Sequence, residues 1–203
     1  MGFGECFLKN KALLMEGALG ERLKREYGLK IDGTVAMASL VYSEDGRSAL
    51  KNLWEGYADI AKRHSLSFIA TTPTRRANKE RMAESGYGDK IIKDNVDFLR
   101  SVQSEFKCES YIGGLMGCKG DAYTGEGAMN TDEAEEFHSY AAKLFEKAGA
   151  DFLYAGIMPC RDEALGMAKA MEKTGLPYII SFMIRKNGCL IDGTPIAEAV
   201  EFI

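Results

Sequence analysis

Apolar positions in this chain recur with two different periods. In "SALKNLWEGYADIAKRH" (48–64), Ala49, Leu50, Leu53, Trp54, Tyr57 and Ile60 fall three and four residues apart. That spacing predicts one apolar helical face. "DKIIKDNVDFLRSVQSEF" (89–106) repeats it with Ile92, Val96 and Leu99. "TDEAEEFHSYAAKLFEKAG" adds polarity: Thr131 is the expected N-cap, acidic residues fill the first turns, Lys143 and Lys147 come late, and Gly149 ends the segment. Charges in that order complement the helix dipole. A further helix capped by Asp162 is expected to run to about Lys173, and one capped by Thr194 to start at Pro195.

Between these helices lie short apolar runs that read as strands: "ALLMEGALG" (12–20), "LSFIATTPT" (66–74), "SYIGGLMG" (110–117), "ADFLYAGIMP" (150–159) and "PYIISFMI" (177–184). Strands alternating with helices imply a parallel sheet covered by helices. Five strands suit an open doubly wound sheet better than a (β/α)8 barrel, which needs eight in about 250 residues. On pattern alone the open sheet is favoured.

The 203 residues, 46% of them hydrophobic and 28% charged, are read as a single globular domain. A net charge of −4 provides no field for nucleic acid. No run of about 18 apolar residues suggests a membrane span. The amino terminus shows neither a signal-peptide pattern nor, with Cys6 at the sixth position, a myristoylation site. Five scattered cysteines indicate reduced thiols and a cytoplasmic setting. The basic run Arg75, Arg76, Lys79 and Arg81 is read as a solvated helix face in preference to an anion contact.

In either architecture functional groups gather at the carboxyl ends of the strands. These ends carry Glu16 and Gly17, then Thr71, Thr72, Thr74 and Asn78, then Cys118, Lys119, Asp121, Tyr123 and Thr124, then Cys160, and last Arg185, Asn187 and Asp192. Glu16 stands out, because a carboxylate in a glycine turn has few structural uses. Cys118 and Cys160 are expected to be small buried hydrophobes; their convergence with Glu16 on a metal is the minor alternative. His138 is expected to be packed or exposed. "GGLMG" (113–117) lacks the helix start and acidic residue of a dinucleotide fingerprint.

Read together, the strand ends resemble the homocysteine S-methyltransferase family, a (β/α)8 barrel group. "LLMEGALGERLKR" is similar to its "DGAxGTxL" opening, "ATTPTRRAN" to "TNTxRxN", and "YIGGLMGCKGDAYTGEG" to "GSxGPxG…YTG". "FHSYAAKLFEKAGADFLYAGIMPCRDEA" resembles "FHxxRxxxLxxAGADxLxxETIPxxxEA", and "YIISFMIRKNGCLIDGTPIAEAV" resembles "xWxSFxxxxGxxLxDGTPLxEAV". These matches run in order from residue 12 to residue 200 and replace the open sheet with a barrel-type α/β chain of about five βα units, incomplete as given.

The resemblance implies methyl transfer to a thiol, with a small-molecule thiol and a methyl donor as partners. It implies substrate binding by Glu16, with Gly17, Thr72, Thr74 and Asn78 at the same end. Asp192 and Thr194 are expected to organise the loop after the fifth strand. Zinc is expected for the family, held by three cysteines on later strands that match none of the five here. The chain is therefore read as the amino-terminal part of such a domain. A non-catalytic form that binds a small molecule or a partner is the alternative, and association of copies through open sheet edges is expected. Two positions depart from the family pattern: Glu16 replaces an Asp, and Gly156 replaces a Glu that helps hold the amino acid's ammonium group.

Overall fold

The computed structural model describes residues 1–31 and 33–203. A short helix, α1 (Phe3–Lys9), precedes strand β1 (Leu14–Met15). Helix α2 (Leu19–Tyr27), a 3-10 segment (Ala36–Tyr42) and helix α3 (Glu44–Arg63) lead to β2 (Phe68–Thr71). Helices α4 (Lys79–Glu84) and α5 (Lys90–Gln103) lead to β3 (Ser110–Gly117). Helix α6 (Thr131–Ala148), β4 (Phe152–Met158), α7 (Arg161–Glu172), β5 (Tyr178–Phe182) and α8 (Ile196–Glu201) complete the chain.

The five strands form one parallel sheet in the order β1-β2-β3-β4-β5. That order separates the two architectures left open by the sequence pattern. A doubly wound sheet reverses its direction of growth at a switch point; here each new strand is added on the same side. The sheet is a half-barrel.

Alternation along the strands sends residues to two distinct cores. Phe68, Ala70, Ile112, Leu153 and Ala155 face the surrounding helices. Ile69, Tyr111 and Phe152 face inward and pack with Phe3 and Cys6 of α1. The Phe3 and Phe152 rings stack with centroids 4.0 Å apart. Helix α1 therefore plugs the amino-terminal end of the half-barrel and leaves the carboxyl end open.

The "GG" of β3 serves this packing. A Cβ at Gly113 would lie 2.4 Å from Phe152 on the inner face, and one at Gly114 2.6 Å from Phe145 on the outer face. Each glycine gives its place to an aromatic ring.

Several helix starts differ from expectation by one or two residues. Asn130 caps α6 instead of Thr131, in a reciprocal capping box with Glu133. Helix α7 starts after Cys160, not Asp162, because the Arg161 N–H is satisfied from afar by Asp192 Oδ2 at 2.7 Å. Helix α8 starts after Pro195, one residue later than expected. Asp192 also accepts the Thr194 N–H at 2.9 Å, which orders the loop after β5.

Candidate functional site

At the open end of the half-barrel lies a cavity of about 600 Å³. Its wall includes Glu16 from the end of β1, Thr71 from β2, Leu115 from β3 and Tyr154, Gly156 and Ile157 from β4. Arg75, Arg76 and Tyr123 reach it from the loops after β2 and β3.

Glu16 is held by one oxygen. Its Oε1 accepts the Thr71 N–H at 2.8 Å and the Thr71 hydroxyl at 2.5 Å. Oε2 is buried and has no hydrogen-bond partner among the described residues. Burial is the dominant influence on this carboxyl and pushes its pKa up to about 7, although the bonds from Thr71 pull the other way. The result is a carboxyl at the cavity wall that can be neutral or charged near neutral pH, with one buried oxygen left without a partner.

The backbone around the cavity is strained. Four described non-glycine residues have positive φ: Ala18, Ala36, Ser65 and Ile157. Three of them, Ala18, Ala36 and Ile157, line this cavity. Ile157 is the costliest case, a β-branched residue at φ 52° where β4 loses register with β5. Its N–H donates to Ser181 Oγ at 2.8 Å, and Tyr154 Oη donates to the same oxygen at 3.0 Å. Ser181 thus fixes both the bulge and a phenol of the cavity wall. Strain of this kind concentrates where a fold is shaped for a ligand.

The other residues expected at the site have different surroundings. The Gly17 carbonyl accepts the Tyr57 hydroxyl at 2.8 Å. Thr72 and Thr74 are buried, their hydroxyls 2.7 Å apart. Thr72 Oγ1 accepts the Leu115 N–H at 3.1 Å, and Thr74 Oγ1 donates to the Leu115 carbonyl at 2.8 Å. Together they tie the end of β2 to β3. Asn78 accepts the Arg81 N–H at 3.0 Å and caps α4. Glu16 is the member of this set that the cavity wall contains, together with Arg75, Arg76 and Tyr154. The strand-end pattern does not point to Tyr154, which lies within β4. Its signal was the period of two that places it on the inner face, one pleat before Gly156.

Behind the cavity, buried Glu163 joins three elements. Its Oε1 accepts the Lys119 N–H at 2.7 Å and the His138 Nε2–H at 3.1 Å. His138 is therefore an internal tie between α6 and α7, and Glu163 anchors the start of the loop after β3.

The sequence profile of the homocysteine S-methyltransferase family matches residues 13–203. The chain belongs to that family. A homocysteine S-methyltransferase of Bacillus subtilis, YbgG, is 33% identical over 85 residues, which are 41% of this chain and 27% of that protein. The aligned segment is thus under a third of the curated relative's length. The homocysteine methyltransferase MmuM of Escherichia coli, in its oxidized form, has the same fold: TM-score 0.80 at 20% identity over 97% of this chain and 70% of that one. Its apo form gives 0.66 at 19% identity over 97% and 68%.

Zinc, expected for homocysteine S-methyltransferases, finds no fitting donor set here. Among the described residues no three His, Cys, Asp or Glu side chains are grouped to hold a metal. This also removes the convergence of Glu16, Cys118 and Cys160. Burial pushes the Cys118 and Cys160 thiols up to about 11, with Glu163 adding to the first and Asp192 to the second. A thiolate nucleophile needs the opposite shift.

Proposed function

We propose that this chain forms the substrate-binding part of a site for methyl transfer to a homocysteine-type thiol. Glu16 is the residue that receives the amino acid's ammonium group. The observation that carries this reading is the Glu16 carboxyl itself, held through Oε1 at the cavity wall with Oε2 unpartnered. A buried acceptor without a donor is costly, and an ammonium group at Oε2 would remove that cost while favouring the charged carboxylate. Transfer forms an S–C bond as the donor's bond to methyl breaks, and it requires a thiolate. Among the described residues no grouped set of His, Cys, Asp or Glu side chains would hold a metal for that thiolate.

Titration calorimetry with L-homocysteine tests the reading. The wild-type chain is expected to bind saturably, and Glu16→Gln to weaken binding about 10- to 150-fold, the worth of one hydrogen bond to a charged group. Equal affinity in the two proteins would overturn the role of Glu16.

A second reading is binding without transfer. The scattered donors and the raised cysteine thiols favour it. Mass-spectrometric detection of methionine from homocysteine and a methyl donor separates the two. We also place the chain in a reducing compartment such as the cytoplasm, which its five free cysteines support.

A further inference from the structure

Arg75, Arg76 and Arg81 line a small recess, together with Cys118 and Asp121; it opens beside the main cavity and shares Arg75, Arg76, Tyr123 and Gly156 with it. Among the described residues none of these three guanidinium groups makes a salt bridge or a hydrogen bond. Elsewhere in the chain Arg22, Arg25, Arg100 and Arg161 are each paired with carboxylates. Unpaired arginines usually extend into water, yet Arg75 and Arg81 are half-buried.

The backbone makes room for this arrangement. A Cβ at Gly117 would lie 2.7 Å from Arg75 Cγ, and one at Gly156 would lie 3.6 Å from Arg75 Cδ. The Arg75 stem therefore runs across β3 and β4 where neither strand has a side chain. Nearby carboxylates reach these arginines only through space, Asp121 to Arg76 and Glu80 to Arg81, and their hydrogen bonds and ion pairs lie elsewhere. Asp121 accepts the Tyr123 and Thr124 amides, each at 2.8 Å, and Glu80 pairs with Lys119 at 3.3 Å. Glu84 acts on Arg81 through space alone. Burial first, and the Arg76 charge next, hold the Arg81 guanidinium below its usual range. Like charges are being held together at some cost, and an oxyanion between them would offset it.

We propose that Arg75, Arg76 and Arg81 form an anion subsite for a carboxylate or phosphate group of the ligand, next to the cavity that contains Glu16. The subsite stands on the arginines alone. Its place within one ligand rests on the reading of Glu16 as the ammonium acceptor.

Inorganic phosphate is the probe, titrated into the full chain at constant ionic strength. The readouts are the arginine Nε–Hε resonances and the melting temperature. Saturable shifts of the Arg75 and Arg76 resonances with a rise in melting temperature are expected. Arg75→Met retains most of the stem and should weaken phosphate binding about tenfold, by loss of a charge-assisted bond. Arg76→Gln, at an exposed position, is the second variant should the first fail to fold. Glu16→Gln should leave the phosphate response intact.

Absence of saturation, or a response unchanged in both arginine variants, overturns the subsite. Failure of the wild-type chain to bind homocysteine, with its phosphate response intact, overturns the amino-acid reading and leaves the subsite standing. Displacement of phosphate by homocysteine would support the subsite and assign it to the amino acid's own carboxylate. Simultaneous binding would support it and assign it to a second anionic group.

Discussion

At the scale of the residue, Glu16 couples the site to pH. Its ordinary value near 4.5 applies to the unfolded chain, and folding raises it to about 7. Between those values the folded state binds more protons than the unfolded one, so stability falls as pH rises through that window. The shift corresponds to on the order of 3 kcal/mol. Thermal melts from pH 4.5 to pH 7.5 should show a decline that Glu16→Gln largely abolishes; an identical profile in the variant would assign the decline to other groups. Ligand binding should run the other way. An ammonium group favours the charged carboxylate, so homocysteine binding near pH 7 should release protons. Calorimetry in buffers of different ionisation enthalpy measures that release directly.

At the scale of the element, β3 shows how strictly the sheet is specified. Gly114→Ala would drive a methyl group into the Phe145 ring of α6. The expected cost is about 1–3 kcal/mol, read as a lower midpoint in urea with an unchanged slope. All eight residues of β3 were legible in "SYIGGLMG", because the run is apolar on both faces and sharply bounded. Helices α3, α5 and α6 were legible for the same kind of reason, a long stripe of one period. Helix α2 was not, since of its residues only Leu23 is buried and Ala18 provides no side-chain cap. Sequence cannot show that Asp192 satisfies the first amide of α7, as the partners are 31 residues apart. The same blindness affects the site. Glu16 was legible as a carboxylate with no evident structural use. The hydroxyls of Thr72 and Thr74 looked equally available until β3 supplied their partners. The basic run read as a solvated face, and Arg76 and Lys79 are exposed; nothing in a linear pattern reveals that the Arg75 stem lies against Gly117 and Gly156 and is half-buried.

At the scale of the whole molecule, the sheet has two edges among the described residues, β1 and β5. Edges of this kind pair with other chains unless something covers them. Light scattering on the full chain is expected to show concentration-dependent dimers or larger species; a strict monomer at all concentrations would mean that both edges are shielded. The sequential order of the strands has one more consequence, and it concerns time. Every strand pairs with its predecessor in the chain, so the sheet is built without waiting for a distant partner. Each pairing still closes a crossover, from 54 residues between Leu14 and Phe68 to 25 between Leu153 and Tyr178, and is slow on that account, but none requires a strand further along the chain. A nascent polypeptide emerging amino terminus first would find, at each step, the edge its newest strand requires already in place.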